Sequence, residues 1–222
     1  MALCGRTGCG KSTFLSVLAK LYPVEAGDIF IDGRDLRDVP LAQLRSSLRV
    51  VTQDPVLLSG TVRRNLVGHL DESASIQEAD RLCWDALSKV GLDDIVRSLP
   101  AQLDFQVDAG GQNFSVGERQ LLCLARALMP ASVLSGRPIF LCDEPTANID
   151  LASDERIHRI LLALDATVVM ICHRLQHISS FDSVVVLDKG CVVEVGPPAD
   201  LLSEPTSRLS KLVALASFDL GS

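Results

Sequence analysis

Residues 5–13 combine three glycines with a lysine and a serine at a spacing suited to binding phosphate. Their order, G-R-T-G-C-G-K-S-T, meets the pattern G-x-x-x-x-G-K-[ST] in full. Glycines let successive backbone N–H groups turn towards an anion without a Cβ in the way. Lys11 can reach the terminal phosphate oxygens, and the Ser12 hydroxyl can bind Mg²⁺. This stretch therefore predicts a phosphate-binding loop.

A helix is expected to begin directly after this loop. Phe14, Leu15, Leu18, Leu21 and Tyr22 are spaced so that they fall on one helical face. The free N–H groups and the dipole at the start of a helix also favour phosphate. The alternative interpretation is a glycine-rich turn that merely precedes a helix.

Two acidic residues end the apolar stretch 139–144. Ligands of parallel sheets lie at the carboxyl ends of the strands, where Asp143 and Glu144 would stand. Asp143 could hold Mg²⁺ beside the phosphates, and Glu144 could accept a proton from an attacking water. The alternative is an acidic turn before Pro145.

Two further polar residues follow apolar stretches in the same way. His173 comes after 166–171, where it could contact a terminal phosphate, although a single histidine is more often structural. Gln53 ends the stretch 49–53, and its amide could touch a metal ion or the attacking water. A solvated strand end explains Gln53 equally well.

The start of a second predicted helix carries a capping pattern. Ser115 is a plausible N-cap and Glu118 stands at the third helical position, which is the arrangement of a capping box. That interpretation is complete in structural terms. A helix start next to Gly110 and Gly111 is also a potential anion site.

The elements that must position these residues alternate between strand and helix patterns. Apolar stretches without alternation, such as 138–142 and 166–171, are typical of parallel strands covered on both faces. The order predicts an α/β fold with a helical insertion. The strands are expected at 27–33, 49–53, 138–142, 166–171, 183–187 and 191–195, and the helices after residue 11, at 41–48, around 76–90, at 115–128 and from 199 onward.

Composition limits the remaining classes of function. The chain has 222 residues, 47% of them hydrophobic, a net charge of −7 and a pI of about 5.1. An acidic chain without a basic run is not expected to bind nucleic acid or anionic lipid. The seven cysteines form no C-x-x-C pair and are interpreted as buried apolar residues in a reducing compartment. No signal peptide or membrane span is expected.

Taken together, these motifs resemble the nucleotide-binding domain of an ATP-binding cassette (ABC) transporter. Six motifs match in the family's order: Walker A at 5–13, the Q-loop at Gln53, the signature at 114–118, Walker B at 139–144, the D-loop at 147–150 and the switch histidine at His173. The sequence at residues 5–8, 51–66 and 114–120 is similar to that of the C subfamily, which contains the multidrug-resistance-associated exporters. Glu144 at the base position resembles the second cassette of such proteins.

The resemblance implies a role for each motif residue. For ATP binding it implies Gly5, Arg6, Thr7, Gly8, Cys9, Gly10, Lys11, Ser12 and Thr13. For catalysis it implies Glu144, His173 and Gln53, and for Mg²⁺ it implies Ser12, Gln53 and Asp143. The nucleotide held by a partner cassette would contact Ser115, Val116, Gly117, Glu118 and Asp150.

The resemblance also implies a domain organisation and partners. Residues 1–222 would form one nucleotide-binding domain of the P-loop NTPase, RecA-like class, with a core at 1–54 and 130–222 and a helical subdomain at about 55–129. The family's N-terminal antiparallel β-subdomain is expected to be largely missing. The partners would be a second cassette, in a head-to-tail ATP sandwich, and the transmembrane domains of an exporter of organic anions or conjugates, at the cytosolic face of a membrane.

Two other functions stay open from the sequence. One is a soluble ABC-type ATPase that does not take part in transport. The other is a truncated, non-catalytic cassette fragment, which the short strand before Gly5 suggests.

Overall fold

The computed structural model describes residues 1–68, 75–130, 137–146, 150–172 and 174–219. The chain forms two compact units, each assembled from segments that are distant in sequence. The first unit comprises Met1–Leu48, Arg137–Glu144 and Asp165–Ser222, and the second comprises Arg49–Gly136 and Pro145–Leu164.

The helices and strands follow one another along the chain in an alternating order. They are β1 (Ala2–Gly5), α1 (Lys11–Leu18), β2 (Phe30–Ile31), β3 (Arg34–Asp35), α2 (Leu41–Ser47), β4 (Leu48–Val51), β5 (Gly60–Thr61), α3 (Val62–Val67), α4 (Ile76–Val90), α5 (Asp93–Ser98), β6 (Gln106–Val107), α6 (Val116–Leu128), β7 (Ile139–Asp143), α7 (Leu151–Leu162), β8 (Thr167–Ile171), β9 (Val184–Asp188), β10 (Cys191–Gly196), α8 (Pro198–Ser203) and α9 (Arg208–Asp219).

A largely parallel sheet organises the first unit. Its strands lie in the order β10-β9-β1-β8-β7. β1 pairs in parallel with β8 and β9, and β7 pairs in parallel with β8, whereas β10 runs antiparallel to β9. Three consecutive residues of β7 and four of β8 are buried, as expected for strands covered on both faces. The predicted α/β fold with a parallel core is confirmed.

The core of the first unit brings strands and helices together in one apolar cluster. Leu3 of β1, Leu15 of α1, Leu44 of α2 and Leu187 of β9 are all buried in it. Burial of a leucine side chain contributes about 1.5–3 kcal/mol. The cluster thereby fixes α1, and the loop before it, against the sheet.

The predicted strand at 27–33 is instead half of a two-stranded ribbon. Phe30 and Ile31 pair with Asp35 and Arg34. Asp32 and Gly33 both have positive φ, 48° and 75°, which is the backbone of a type I′ turn. An Asp-Gly pair is typical of such a turn, and the strand is shorter than predicted.

Helices dominate the second unit. α4 and α6 pack together, and α3 packs against both, while α7 packs against α4. Among the described residues of this unit, the strands are β4 and the short ribbon formed by β5 and β6. Each of the two long helices, α4 and α6, has one strongly apolar face, as the spacing of apolar residues predicts.

Three apolar residues in the segments predicted to be helical are exposed. α1 ends at Leu18, so Leu21 and Tyr22 lie beyond it and are 65% and 60% exposed. Ile76 is the first residue of α4 and is 75% exposed. Helix ends present less of their surface to neighbouring elements than helix middles do, and periodicity alone does not mark where a helix ends.

The prediction that the cysteines are buried is confirmed for six of the seven. Six of the seven cysteines are buried and none is in a disulfide, and Cys191 alone is exposed. Within the described part of the chain, no helix combines the length and apolar character needed to cross a membrane.

Candidate functional site

The predicted phosphate-binding loop joins the end of β1 to the start of α1. Gly5 has a φ of 147°, and a Cβ there would overlap the carbonyl oxygen of Leu187. Gly10 has a φ of 104° and is the N-cap of α1. Both positions therefore need glycine for steric reasons. The loop is closed by a hydrogen bond of 3.2 Å from the Cys9 N–H to the Arg6 carbonyl oxygen.

Lys11 lies inside this loop, and the residue is only 6% exposed. Its ammonium donates hydrogen bonds to the carbonyl oxygens of Gly5, at 2.9 Å, and Arg6, at 3.2 Å. A buried charge must be paired or hydrogen-bonded, and the loop supplies both acceptors itself. The lysine is therefore held by the loop, whereas the neighbouring Ser12 is exposed.

Asp143 is brought next to the loop by the parallel sheet. The Ser12 hydroxyl donates a hydrogen bond of 3.3 Å to its carboxylate Oδ1. These residues are 131 positions apart, and they meet because α1 packs beside β7 within the first unit. A hydroxyl and a carboxylate oxygen are both ligands that Mg²⁺ accepts, so the residues present fit such an ion.

Glu144 follows Asp143 with an unusual backbone. Its φ is +46°, although it is not glycine, and it precedes Pro145, which disfavours helical conformations in the residue before it. Left-handed backbone at a non-glycine residue costs about 1–3 kcal/mol and is concentrated at functional sites. The sequence places Glu144 at the strand end but carries no signal for this conformation.

The turn between β9 and β10 also contacts the loop. The Gly190 N–H donates a hydrogen bond of 3.0 Å to the Cys9 carbonyl oxygen. Sequence reasoning predicted the two strands and missed this contact, because nothing in the local pattern relates residue 190 to residue 9.

Gln53 lies in the second unit, in an exposed segment after β4. The backbone on either side of it is anchored by α6. The Gln120 amide donates to the Thr52 carbonyl oxygen at 3.1 Å, and Arg126 donates to that of Val56 at 3.0 Å. The Cys123 thiol lies 3.6 Å from the same Val56 oxygen. Sequence reasoning missed these three anchors: their spacing of three residues puts them on one face of α6 but does not reveal the segment that they contact.

The capping box at Ser115 is confirmed. The Glu118 N–H donates to the Ser115 hydroxyl at 3.2 Å, and the Ser115 N–H donates to the Glu118 carboxylate at 2.8 Å. Ser115 and Val116 are exposed, and Gly117 is half-buried. The start of α6 therefore presents a polar, accessible surface in the second unit.

Asp150 is the N-cap of α7. Its carboxylate accepts hydrogen bonds from the Ser153 N–H at 3.0 Å and from the Ser153 hydroxyl at 2.7 Å. These bonds, the backbone one first, lower the pKa of the Asp150 carboxyl, so the side chain is ionised at neutral pH. Asp150 is exposed.

The structure thus gathers one group of predicted site residues within the first unit: the loop, Lys11, Ser12, Asp143 and Glu144. Gln53, Asp150 and the start of α6 belong to the second unit. His173 and the other D-loop residues, 147–149, lie outside the described residues.

Comparison with known proteins gives a consistent result. The family model for the ABC transporter matches residues 1–147. Human ATP-binding cassette sub-family C member 8 is 40% identical over 215 residues, which cover 96% of this chain and 13% of that protein. Human ATP-binding cassette sub-family C member 3 is 43% identical, covering 91% and 13%. ABC transporter C family member 6 of Arabidopsis thaliana is 42% identical, covering 95% and 14%.

A solved structure agrees with these relatives. The structure of a bacterial Atm1-family ABC exporter with ATP bound is 31% identical, with a TM-score of 0.83, and the match covers 96% of this chain and 36% of that chain. The chain spans about an eighth of the length of the three curated relatives. Those relatives belong to sub-family C, as the sequence around the motifs predicted. The match of the family model, together with the loop and acidic strand end that it covers, places this chain in the ABC transporter family.

Proposed function

We propose that this chain is an ATP-binding and ATP-hydrolysing cassette that powers an ABC exporter. The observation that supports this most is the pairing of the Ser12 hydroxyl with Asp143 beside a loop that already holds Lys11. A hydroxyl, a carboxylate and an ammonium at one loop match the needs of a magnesium-bound triphosphate.

In this proposal, the loop residues surround the phosphates with backbone N–H groups and Lys11 turns from the loop carbonyls towards the β- and γ-phosphate oxygens. Ser12 and Asp143, with Gln53, would hold Mg²⁺, which neutralises charge on the phosphates when bound. The Lys11 ammonium would then donate its hydrogen bonds to anionic phosphate oxygens instead of carbonyl oxygens, and such hydrogen bonds are stronger.

Hydrolysis would depend on Glu144. Its carboxylate would orient a water molecule and accept its proton while the water oxygen forms a bond to the γ-phosphorus and the bond to the ADP oxygen breaks. His173 would contact the γ-phosphate. The left-handed backbone of Glu144 supports this role, since strain of that kind is retained where a side chain must be aimed.

The complete active site would need a partner. Ser115, Val116, Gly117 and Glu118 at the start of α6, with Asp150, would contact the nucleotide held by a second cassette. The exposure of Ser115, Val116 and Asp150 supports this arrangement. The transmembrane domains would be those of an exporter at whose cytosolic side the cassette lies.

The finer parts of the proposal rest on the relatives. Organic anions or conjugates are proposed as the transported class because the motifs resemble those of the multidrug-resistance-associated exporters of the C subfamily. The division of residues 1–222 into a core and a helical subdomain at about 55–129 is proposed as well, and the series of helices α3 to α6 supports it.

Equilibrium dialysis of the purified chain with labelled ATP and Mg²⁺ tests the proposal. We expect micromolar binding, weakened roughly 10- to 100-fold by Lys11→Ala, since a hydrogen bond to a charged group contributes about 1.5–3 kcal/mol. Lys89→Ala, which removes an exposed lysine of α4, is the matched control. Absence of binding by the folded wild-type chain would favour the non-catalytic fragment instead.

A further inference from the structure

A cavity is formed by the phosphate-binding loop, β9, β10 and α9. Its volume is about 550 Å³, within the range of sites that bind drug-sized molecules. Every lining residue belongs to the first unit. The proposed ATP site uses no side chain of the hairpin or of α9, so this cavity needs its own explanation.

The polar lining of this cavity is strongly cationic. Arg6, Lys189, Arg208 and Lys211 line it, against one carboxylate, that of Asp188. The chain as a whole carries a net charge of −7, so this concentration of positive charge is local. A concave surface of one sign attracts ligands of the other.

Most of these cations are available to a ligand. Within the described residues, the side chains of Arg6, Lys189 and Arg208 form no hydrogen bond or ion pair with the protein, and Lys211 donates one bond of 2.8 Å to the Thr206 carbonyl oxygen. An ammonium has three donors, so Lys211 keeps two.

The rest of the lining is apolar. Val186, Val193, Leu212 and Leu215 contribute aliphatic side chains, and Leu215 is 54% exposed and Val193 40% exposed. Their exposure in a concave surface favours a ligand with an apolar body.

The helix that supplies two of these leucines is fixed in place at its start. The carboxylate of Glu194, on β10, accepts hydrogen bonds from the N–H groups of Arg208, at 2.5 Å, and Leu209, at 3.0 Å. The hairpin and α9 are therefore joined, and the two walls of the cavity that they form are held together.

We propose that this cavity binds an amphipathic organic anion: a small molecule with one carboxylate, sulfonate or phosphate group on an apolar body. The anionic group would be held by Arg208, Lys211 and Lys189, and the body would lie on the aliphatic residues of β10 and α9. Arg6 belongs to both the cavity and the phosphate-binding loop.

Two fluorescent probes that differ mainly in charge test the proposal. 8-Anilinonaphthalene-1-sulfonate carries a sulfonate, and N-phenyl-1-naphthylamine has the same aromatic body without it. We expect the sulfonate to bind the folded chain at one site, and Arg208→Gln with Lys211→Gln to weaken that binding about tenfold or more. Binding of the neutral probe should change less than twofold.

The matched control removes two cations elsewhere. Arg81→Gln with Lys89→Gln makes the same change of charge on α4 and should leave sulfonate binding within twofold of the wild type. Equal effects of the two double variants, or equal affinity for the two probes, would overturn the proposal. If the Arg208 and Lys211 variant fails to fold, Lys189→Gln at the exposed hairpin turn gives the same readout.

Mg-ATP separates this cavity from the proposed nucleotide site. If saturating Mg-ATP leaves the sulfonate bound to the wild-type chain, the cavity is separate from the nucleotide site and the proposal stands. If ATP displaces the sulfonate from the wild-type chain and not from Lys11→Ala, the sulfonate occupies the nucleotide site and the proposal is wrong. If ATP displaces it equally from both, the cavity binds nucleotide directly and the assignment to an organic anion is wrong. Failure of ATP to bind at all would contradict the proposed function and leave the sulfonate result valid.

Discussion

Glu144 combines a carboxylate at a strand end with a left-handed backbone, and both properties concern the placement of one side chain. Its φ of +46° directs the residue differently from the extended Asp143 before it. Glutamine keeps the size and backbone preferences of glutamate but accepts a proton poorly, so the substitution separates chemistry from geometry.

We expect Glu144→Gln to retain Mg-ATP and to reduce hydrolysis by at least about 10²-fold, the lower range for the loss of a general base. The assay measures phosphate release with a partner cassette supplied, alongside ATP binding. Glu25→Gln, at an exposed position, is the control. Unchanged turnover in Glu144→Gln would remove Glu144 from the catalytic role.

Gln120 acts at the same scale on the segment that carries Gln53. Gln120→Met keeps the buried volume and removes the donor to the Thr52 carbonyl oxygen. We expect a loss of about 0.5–1.5 kcal/mol in the free energy of unfolding and faster hydrogen exchange in residues 52–57. Leu122→Met, a buried apolar exchange on the same helix, should leave exchange in that segment unchanged. If both variants accelerate exchange equally, the Gln120 hydrogen bond does not specifically stabilise this segment.

At the scale of elements, a glycine at the end of α4 lies against an arginine of α7. Gly91 ends α4 with a φ of 65°, and a Cβ there would overlap the guanidinium of Arg156 from α7. The left-handed backbone is the main cost of placing another residue at this position, because the guanidinium ends a flexible side chain and can move away.

We expect Gly91→Ala to destabilise the second unit by roughly 1–2 kcal/mol, the cost of left-handed backbone at a non-glycine residue. Gly27→Ala measures that cost separately, since Gly27 has a φ of 81° and open space around its Cβ position. Chemical denaturation gives both values. Adding Arg156→Ala should leave the cost of Gly91→Ala unchanged; a recovery of stability would show that the overlap with the guanidinium contributes as well.

The elements also show what the sequence could predict. Apolar runs located β7, β8 and β9, because strands covered on both faces leave a pattern that is independent of their partners. The capping box at Ser115 was predictable because all its atoms lie within four residues.

Contacts between distant residues could not be predicted in this way. The anchors from α6 to Thr52 and Val56, the Gly190 bond to Cys9 and the Glu194 cap of α9 join separately packed segments, so no local pattern contains them. Leu21 and Tyr22 were placed on a helical face because the apolar spacing continues past Leu18, where α1 ends.

At the scale of the whole molecule, the cysteines report how well the chain is packed. Six of the seven are buried, and each unit contains some of these six. Burial raises the pKa of Cys4, Cys83 and Cys142 to about 12. A thiol with such a pKa is almost entirely protonated at pH 8, and the thiolate is the reactive form.

We therefore expect one thiol, that of Cys191, to react rapidly with an aromatic disulfide reagent at pH 8 in the native chain. All seven should react after denaturation in guanidinium chloride. The absorbance of the released thiolate gives the count, and Cys191→Ser should abolish the fast phase. Two or more fast thiols in the wild type would mean that a core surrounding the cysteines is open.

The position of β1 in its sheet affects the order in which the chain can fold during synthesis. Ala2, Leu3 and Cys4 are fully buried, and β1 pairs with β8 and β9, which begin at Thr167 and Val184. A ribosome adding about 5–20 residues per second needs roughly 8–32 s to make the chain between β1 and β8, the first of these partners to be made. Throughout that interval the first apolar strand has no partner in its sheet and is a natural client for a chaperone. The phosphate-binding loop, although made long before β8 and β9, is among the last parts of this sheet to take its final form.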